Sequence, residues 1–329
     1  MKKILFVILV ITVVTVGVPF FVVKNFEEPK ENTNSKDAEK IEDETISVYI
    51  ANEDRVEDMN LNQYLKEVVA AEMPAEFHTE ALRAQAIAAR TYLINRVRAY
   101  QNSQIPEQHK GAYICTDPTH CKAWIGEQKR RELWGEDKAD EYWQKISDAV
   151  ESTGNLIATY DGEPISAVFH STSSGFTENA KDVWGGNVQY LVSVKSEGDE
   201  LSPKYNSERI MSIEEFKKIA EQNIEGVNWD NYIIGKIQRS SAGGIISLDV
   251  GGIAVKGSDF RFMYGLRSTN IEIEVTDTQV KMSVKGYGHG VGMSQYGANY
   301  LANQGKNYEE ILKTYYSGIE ISECKSING

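Results

Sequence analysis

One run of sequence is the best starting point for this chain: Tyr64-Leu65-Lys66-Glu67-Val68-Val69-Ala70-Ala71-Glu72-Met73-Pro74. Together with Leu61 just before it, Leu65, Val68 and Glu72 are spaced by four, three and four residues. Residues at such spacings share one face of a helix, so the pattern predicts that Glu72 continues an apolar stripe. We expect a helix here whose last carboxylate points inward.

The position of Glu72 indicates acid chemistry. Burial disfavours the ionised form of a carboxyl group and raises its pKa toward values at which it can donate a proton near neutral pH. Glu72 is therefore a candidate general acid. The alternative is a glutamate that tips into solvent, because Pro74 disfavours helical geometry at Met73 and the chain must turn there.

Length, composition and charge limit the number of domains and the possible partners. With 329 residues, of which 41% are hydrophobic and 25% charged, the chain is long enough for one large domain or two smaller ones. The formal net charge of −13 argues against nucleic acid as a partner, since phosphate-backbone binding requires a basic surface.

The N-terminus predicts a membrane anchor at residues 1–24. Ile4 to Val23 is a run of twenty residues without a charge, flanked by Lys2 and Lys3 before it and Lys24 after it. That is the length of a single transmembrane helix, and the early lysines favour a cytoplasmic N-terminus with the body outside. A cleaved signal peptide is the alternative. The acidic segment 25–44 should be a solvated linker.

From residue 45 onward the sequence predicts an α+β fold in which antiparallel hairpins pack against helices, with a catalytic cleft between lobes. Apolar periodicity and turn residues give the expected elements. They are a strand at 45–50, helices at about 60–72, 80–100, 137–152, 212–223 and 294–302, and hairpins at 156–170, 245–255 and 271–284.

Two basic residues are expected in the cleft. Arg90 lies in Ala88-Ala89-Arg90-Thr91, where small neighbours allow close packing and a fixed guanidinium, although most arginines lie on the surface. His289 stands between glycines in G-x-G-x-G-x-G, a pattern that differs from the dinucleotide loop G-x-G-x-x-G. We expect His289 to be a positioned cleft residue.

The less regular stretch 101–135 contains His109, Cys115, His120 and Cys121 within thirteen residues. This is a plausible tetrahedral zinc set, although the spacing matches none of the common finger patterns. A Cys115–Cys121 disulfide is the alternative outside the cytoplasm, but it leaves both histidines unexplained. A site with four protein ligands is closed, so we expect a structural role rather than a catalytic one.

Four segments together carry a family resemblance. They are Val69-Ala70-Ala71-Glu72-Met73-Pro74, Ala84-Gln85-Ala86-Ile87-Ala88-Ala89-Arg90-Thr91-Tyr92, His170-Ser171-Thr172-Ser173-Ser174-Gly175 with Thr177-Glu178, and the glycine-rich run 286–298. From about residue 45 to the C-terminus the chain resembles the stage II sporulation protein D family. The resemblance implies a membrane-anchored, extracytoplasmic lytic transglycosylase that degrades septal peptidoglycan during engulfment, on the mother-cell membrane facing the septum or forespore.

The resemblance also implies roles for individual residues. Glu72 matches the catalytic glutamate, and Arg90 matches an arginine that would orient Glu72 or bind the lactyl carboxylate of the substrate. The remaining substrate-binding residues that it implies are Ser174, Thr177, Tyr190, Asp199, His289 and Gln295. The run Ser173-Ser174-Gly175 departs from the Ser-Gly-Gly of the family, and the Cys/His insertion is not expected in every member.

The implied reaction needs one carboxyl group and no cofactor. Ordinary glycoside hydrolysis uses two carboxylates. In a lytic transglycosylase the 6-hydroxyl of N-acetylmuramic acid replaces water, which yields a 1,6-anhydro end. The implied substrates are glycan strands stripped of stem peptides by an amidase partner. Two alternatives are a non-catalytic glycan-binding enhancer of that amidase and a metal-dependent hydrolase at the Cys/His residues.

Overall fold

The computed structural model describes residues 44–101, 103–230 and 232–327. All of them belong to one compact unit, Lys40–Gly329. The anchor expected at Ile4 to Val23, and the linker up to residue 43, lie outside the described residues. Within the described ranges, no helix has both the length and the apolar character needed to cross a membrane.

Helices and strands alternate along the chain without a regular rhythm. The helices are α1 (Leu61–Glu72), α2 (Thr79–Gln101), α3 (Glu127–Trp134), α4 (Glu136–Glu151), α5 (Ala180–Trp184), α6 (Ile213–Asn223), α7 (Gly257–Met263), α8 (Gln295–Asn303) and α9 (Tyr308–Tyr315). The strands are β1 (Thr45–Ile50), β2 (Arg55–Asn60), β3 (Ile114–Cys115), β4 (Leu156–Tyr160), β5 (Glu163–Pro164), β6 (Phe169–His170), β7 (Asn206–Ser212), β8 (Ile234–Arg239), β9 (Ile245–Val250), β10 (Ile253–Lys256), β11 (Asn270–Val275), β12 (Gln279–Lys285), β13 (Met293–Ser294) and β14 (Glu320–Glu323).

The sheets are small and mostly antiparallel, which confirms the α+β class. Their strand orders in the described chain are β2-β1-β3, β10-β9-β8, β11-β12-β7, β13-β6 and β14-β4-β5. The pairs β1–β3 and β6–β13 are parallel and only two residues long. The two later hairpins have the predicted turns, since β9 pairs with β10 across Gly251-Gly252 and β11 pairs with β12.

Helix α1 has the predicted bounds. Its N-cap is Asn60, whose side chain accepts a hydrogen bond from the backbone N–H of Gln63 at 3.1 Å. The helix ends at Glu72, because Met73 is extended, with φ −118° and ψ 143°, as expected for a residue before proline. The predicted end of the helix therefore places Glu72 on its last turn.

Two separate hydrophobic cores hold the fold together. The first core contains the apolar faces of α1, α2 and α4 and reaches from Ile46 to Ile327. The second core lies within the segment 206–285 and is built around β7, β9, β11 and β12. This segment begins and ends at register partners, since Asn206 in β7 pairs with Lys285 in β12. The chain thus enters and leaves the second core at neighbouring positions.

The hairpin predicted at 156–170 forms only near its turn. Strand β4 pairs with β5 through Thr159 and Pro164, and the chain then bends where Ala167 N–H donates to the Ile165 carbonyl at 2.9 Å. Strand β6 pairs instead with β13, in parallel. Proline cannot donate a ladder hydrogen bond, so the β4 ladder weakens where the chain departs. The departure brings the loop after His170 beside the glycine-rich run.

Helix α3 was not predicted. It lies inside the stretch 101–135, and none of its residues is buried. A helix without a buried face carries no apolar periodicity, which is the signal that reveals helices in a sequence.

Candidate active site

The carboxyl group of Glu72 is half-buried at the end of α1. Its Oε1 atom accepts a hydrogen bond from the backbone N–H of Ala123 at 2.9 Å. Its Oε2 atom accepts a weaker one from Nε2 of Gln295 at 3.4 Å. Among the described residues, no second carboxylate contacts Glu72. The inward position predicted from the apolar stripe is therefore correct.

Opposing influences set the pKa of Glu72. Burial raises it above the usual 4.5, while the charge of Lys122 and the hydrogen bonds from Ala123 and Gln295 lower it; burial has the larger effect. A protonated fraction of Glu72 consequently persists to higher pH than for an exposed glutamate. This is the property required of a general acid.

Lys122 is the cation nearest in sequence to the Ala123 donor. Its side chain is buried, and its ammonium lies 4.2 Å from the ring centre of Tyr92 and 3.6 Å from that of Phe169. Burial lowers the pKa of Lys122 to about 8, although the charges of Glu72 and Cys121 oppose the shift. Cation–π contacts partly replace the lost hydration. Sequence analysis missed this residue.

Gln295 links the glycine-rich run to Glu72. It is the first residue of α8, whose N-cap Ser294 accepts a hydrogen bond from Gly297 N–H at 3.3 Å. The Gln295 amide is buried and also approaches Oε1 of Gln85, on α2, at 3.5 Å. The start of α8 thus aims the Gln295 donor at the carboxyl group on α1, and the sequence-predicted pair of Glu72 and Gln295 comes together.

His289 lies beside a second histidine and a tryptophan. Its ring centroid is 5.7 Å from that of His170 and 5.1 Å from that of Trp184, whose side chain is largely exposed. Burial, assisted by the nearby charges of Lys122 and Arg261, lowers the pKa of His289 well below its usual value. The imidazole is therefore neutral near pH 7. Its Nδ1 accepts a hydrogen bond from Val291 N–H at 3.1 Å.

Arg90 has a different environment from the one expected. Its guanidinium is only 1% exposed and donates to Oγ1 of Thr153 and the carbonyl of Leu156, both at 3.1 Å, and to the carbonyl of Val150 at 3.4 Å. These bonds join α2 to the end of α4 and the start of β4. Such burial favours a structural role over direct contact with substrate.

Asp199 and Thr177 are completely buried as well. The carboxylate of Asp199 accepts hydrogen bonds from Ser173 N–H at 2.9 Å and from the hydroxyls of Ser173, Ser196 and Ser294 at 2.6, 2.5 and 2.5 Å. The hydroxyl of Thr177 accepts from the backbone at 2.9 Å. The hydrogen bonds of both side chains are therefore made within the protein.

Ser174 and Tyr190 are half-buried. The Ser174 hydroxyl accepts a hydrogen bond from the Asn270 amide at 3.0 Å, which connects the serine-rich loop to β11. The Tyr190 hydroxyl accepts from Ser166 N–H at 3.0 Å, and its ring packs against Tyr160 at 5.5 Å between centroids. Neither contact reaches Glu72.

The predicted Cys/His residues converge. The candidate ligand atoms of His109, Cys115, His120 and Cys121 all lie within 4.8 Å of one another. The separations are 3.0 Å between the two histidine nitrogens and 3.3 to 3.5 Å for three sulfur–nitrogen pairs. Tetrahedral Zn²⁺ with ordinary bond lengths requires ligand separations of about 3.3–3.8 Å. All three cysteines are free, so no disulfide forms.

This cluster adjoins the candidate acid through the chain itself. Cys121, Lys122 and Ala123 are consecutive, so the residue that ends the cluster is followed directly by the buried cation and by the backbone donor to Glu72. No local pattern reveals this in the sequence. In the sequence Lys122 lies next to the Cys/His residues, but this position does not show which residues its side chain contacts.

Known proteins are similar to this chain over most of its length. The family model described as SpoIID, Stage II sporulation protein, matches residues 49–160, the part that contains Glu72 and the Cys/His residues. Stage II sporulation protein D of Bacillus amyloliquefaciens is 40% identical over 86% of this chain and 80% of that protein. The Bacillus subtilis (strain 168) protein of the same name is 38% identical over 88% and 83%.

A more distant relative is the amidase enhancer of Bacillus subtilis (strain 168), which is 26% identical over 78% of this chain but only 40% of that protein. The extent of the closer matches is decisive, because each is at least 38% identical and covers more than four fifths of this chain. The chain belongs to the stage II sporulation protein D family.

Proposed function

We propose that this chain is a peptidoglycan lytic transglycosylase. It cleaves the bond from N-acetylmuramic acid to N-acetylglucosamine in glycan strands without stem peptides and leaves a 1,6-anhydro end. The observation that carries the proposal is the carboxyl group of Glu72, which is half-buried, has a raised pKa and has no carboxylate partner among the described residues. A hydrolase of the usual kind needs two carboxylates flanking the bond.

The reaction then proceeds in two proton transfers through Glu72. The protonated carboxyl group donates to the glycosidic oxygen as the C1–O bond breaks, which releases N-acetylglucosamine with a free 4-hydroxyl. The 6-hydroxyl oxygen of the muramic acid bonds to C1, and its proton passes to the Glu72 carboxylate. The carboxyl group is thereby regenerated, and no water enters.

Two N–H donors fit this cycle. Ala123 N–H and the Gln295 amide hold the two oxygens of Glu72 and stabilise the carboxylate formed after the first transfer. The hydrogen bond at 2.9 Å from Ala123 also fixes the direction of the side chain. The charge of Lys122 acts in the same sense.

A structural Zn²⁺ held by His109, Cys115, His120 and Cys121 is part of the proposal. The four residues provide a complete tetrahedral set, so the ion has no open position for substrate. Its contribution is to fix the backbone that continues into Ala123. Glycosidic bond cleavage remains with Glu72.

The cellular setting follows the family. We propose that the body acts outside the cytoplasm, tethered by the run Ile4 to Val23, during septal peptidoglycan degradation in sporulation. Peptide-stripped glycan is the product of an amidase, so an amidase acts before this enzyme.

Mass spectrometry of digested glycan tests the reaction. Wild type should release fragments with 1,6-anhydro ends, and Glu72→Gln should lower the rate by about 10²–10⁴-fold. The matched control is Glu67→Gln, which alters a second buried carboxyl group with a raised pKa on the same helix. That variant should still produce anhydro ends. Equal loss in both variants would mean that helix α1, and not the acid, had been damaged.

The amidase enhancer relative supports one alternative, a non-catalytic glycan-binding role. In that case wild type produces no anhydro ends, and both wild type and Glu72→Gln stimulate a wall amidase equally.

A further inference from the structure

A cluster of cations surrounds Tyr287 in the glycine-rich run. Nζ of Lys204 and Cζ of Arg267 each lie 5.6 Å from the centre of the Tyr287 ring, which is 36% exposed. Arg267 also donates to the carbonyl of Lys204 at 3.4 Å, and its own carbonyl accepts from Gly288 N–H at 2.9 Å. Arg261 is near enough for its charge to interact with Tyr287. We call Lys204, Arg261 and Arg267 the cation cluster.

The cation cluster adjoins the candidate active site. The Arg267 carbonyl accepts from Gly288, the residue before His289, and the His289 ring centroid lies 5.7 Å from that of His170. His170 follows Phe169, whose ring centre is 3.6 Å from Nζ of Lys122, and the charge of Lys122 acts on Glu72. His289 therefore lies close to both the cluster and the Lys122–Glu72 pair. Two of the three cluster cations come from the segment of the second core, so that segment brings positive charge to the active site.

The cluster has no anionic partner within the described chain. Some arginines elsewhere in the described chain pair with carboxylates, as Arg55 does with Glu53 at 2.6 Å and Arg131 with Glu127 at 2.7 Å, whereas Arg261 and Arg267 do not. Arg261 is half-buried, and its Nε donates a hydrogen bond to the carbonyl of Leu266 at 3.2 Å. The hydrogen bond from Nε leaves the two terminal nitrogens of Arg261 available to donate to a carboxylate ligand.

We infer that the cation cluster binds a carboxylate of the substrate, namely the lactyl carboxylate of N-acetylmuramic acid. The inference rests on the proposed function. The guanidinium fork matches a carboxylate in a bidentate geometry, and lysine adds a point charge. The lactyl group carries a charge only after the stem peptide has been removed, because the peptide converts it to a neutral amide. The cluster would thus distinguish stripped glycan from intact peptidoglycan, a role that the buried Arg90 cannot fill.

Binding to two chemically matched glycans tests the inference. All variants are made in full-length protein carrying Glu72→Gln, so that the ligand is not consumed. One ligand is peptide-free glycan, and the other is the same glycan with its lactyl carboxylates reduced to alcohols. Arg261→Gln should weaken binding of the first by about tenfold or more. Binding of the reduced glycan should change by less than about twofold, because a neutral ligand does not use the charge.

Two further variants keep the result decisive. Lys204→Gln, at an exposed position, and Arg267→Gln should show the same selectivity if Arg261→Gln fails to fold. Lys236→Gln is the control, since Lys236 is an exposed lysine on β8 that belongs to the same segment but not to the cluster. Equal weakening of both glycans by the cluster variants, or no more weakening than in Lys236→Gln, would overturn the inference. Charge-selective binding without anhydro products from wild type would instead refute only the proposed function.

Discussion

Replacing Asp199 by alanine removes the acceptor of four hydrogen bonds at once. The side chain is completely buried, and the four donors come from Ser173, Ser196 and Ser294. Ser196 keeps a partner in the Tyr315 hydroxyl at 2.9 Å, and the Ser173 hydroxyl still accepts from Gly175 N–H at 3.2 Å. Ser173 N–H and the Ser294 hydroxyl lose their best partner.

The magnitude follows from this count. A buried donor without a partner costs about 1–3 kcal/mol, so two such losses, with smaller ones at the other hydroxyls, give about 3–5 kcal/mol of unfolding free energy. A domain of this size loses roughly 2–4 °C in melting temperature per kcal/mol, so we expect Tm to fall by about 6–20 °C. The variant Asp199→Asn should lose less than half of this, because its amide oxygen replaces one acceptor.

Thermal melting together with glycan affinity checks the prediction. At a temperature where every variant is folded, Asp199→Ala should bind glycan as wild type does, because the carboxylate is not accessible. A variant that melts within about 2 °C of wild type but binds glycan about tenfold more weakly would refute the reasoning. That outcome would instead favour the substrate-binding role expected from the family resemblance.

Three other perturbations have defined outcomes. In the proposed reaction the active form of Glu72 is protonated, so kcat/KM should fall as pH rises through the raised pKa of Glu72. Lys122→Met removes a positive charge that lowers this pKa, so the fall in kcat/KM should move to higher pH. A shift to lower pH would contradict this electrostatic explanation. Cys121→Ser or a chelator should remove bound zinc and lower Tm, as measured by metal content and thermal melting. The control Cys324→Ser changes a buried cysteine outside the cluster and should retain about one zinc per chain. Full zinc content in Cys121→Ser would exclude the proposed set of ligands. Gly292→Ala places a Cβ 2.1 Å from the Val168 carbonyl oxygen, at a φ of +72°. It should destabilise the fold by at least about 2 kcal/mol more than the control Gly305→Ala, whose φ is a similar +87° but whose Cβ would meet open space. Equal Tm values for the two variants would show that the loop at Gly292 relaxes.

Sequence patterns predicted the features that depend on residues close together in the chain, such as the ends of a helix and its buried face. The bounds of α1 follow from Asn60 as N-cap and from the proline after Met73, and the inward position of Glu72 follows from helical spacing. The same reasoning about helix α2 placed Arg90 among alanines and correctly predicted close packing. It did not predict which partner the guanidinium meets, because Thr153 and Leu156 lie more than sixty residues away.

The missed residues depend on tertiary contacts. The environment of Lys122 is formed by Tyr92, Phe169 and Glu72, which come from three other parts of the chain. The convergence of His109 with Cys121 was predictable, because metal chemistry restricts the possible partners to a few residue types. A lysine has no such restriction. Sequence alone therefore predicted the inward position of Glu72 and the convergence of the Cys/His residues, but not the cation beside them.

The paired ends of the second core have an evolutionary consequence. Because Asn206 and Lys285 are neighbours across one ladder, the eighty residues from Asn206 to Lys285 form a module that a chain can gain, lose or exchange without rerouting the part that carries Glu72. Arg261 and Arg267 belong to this module, and Glu72 does not. Recombination at that single junction would replace two of the three cations of the cluster while leaving helix α1 and Glu72 in place.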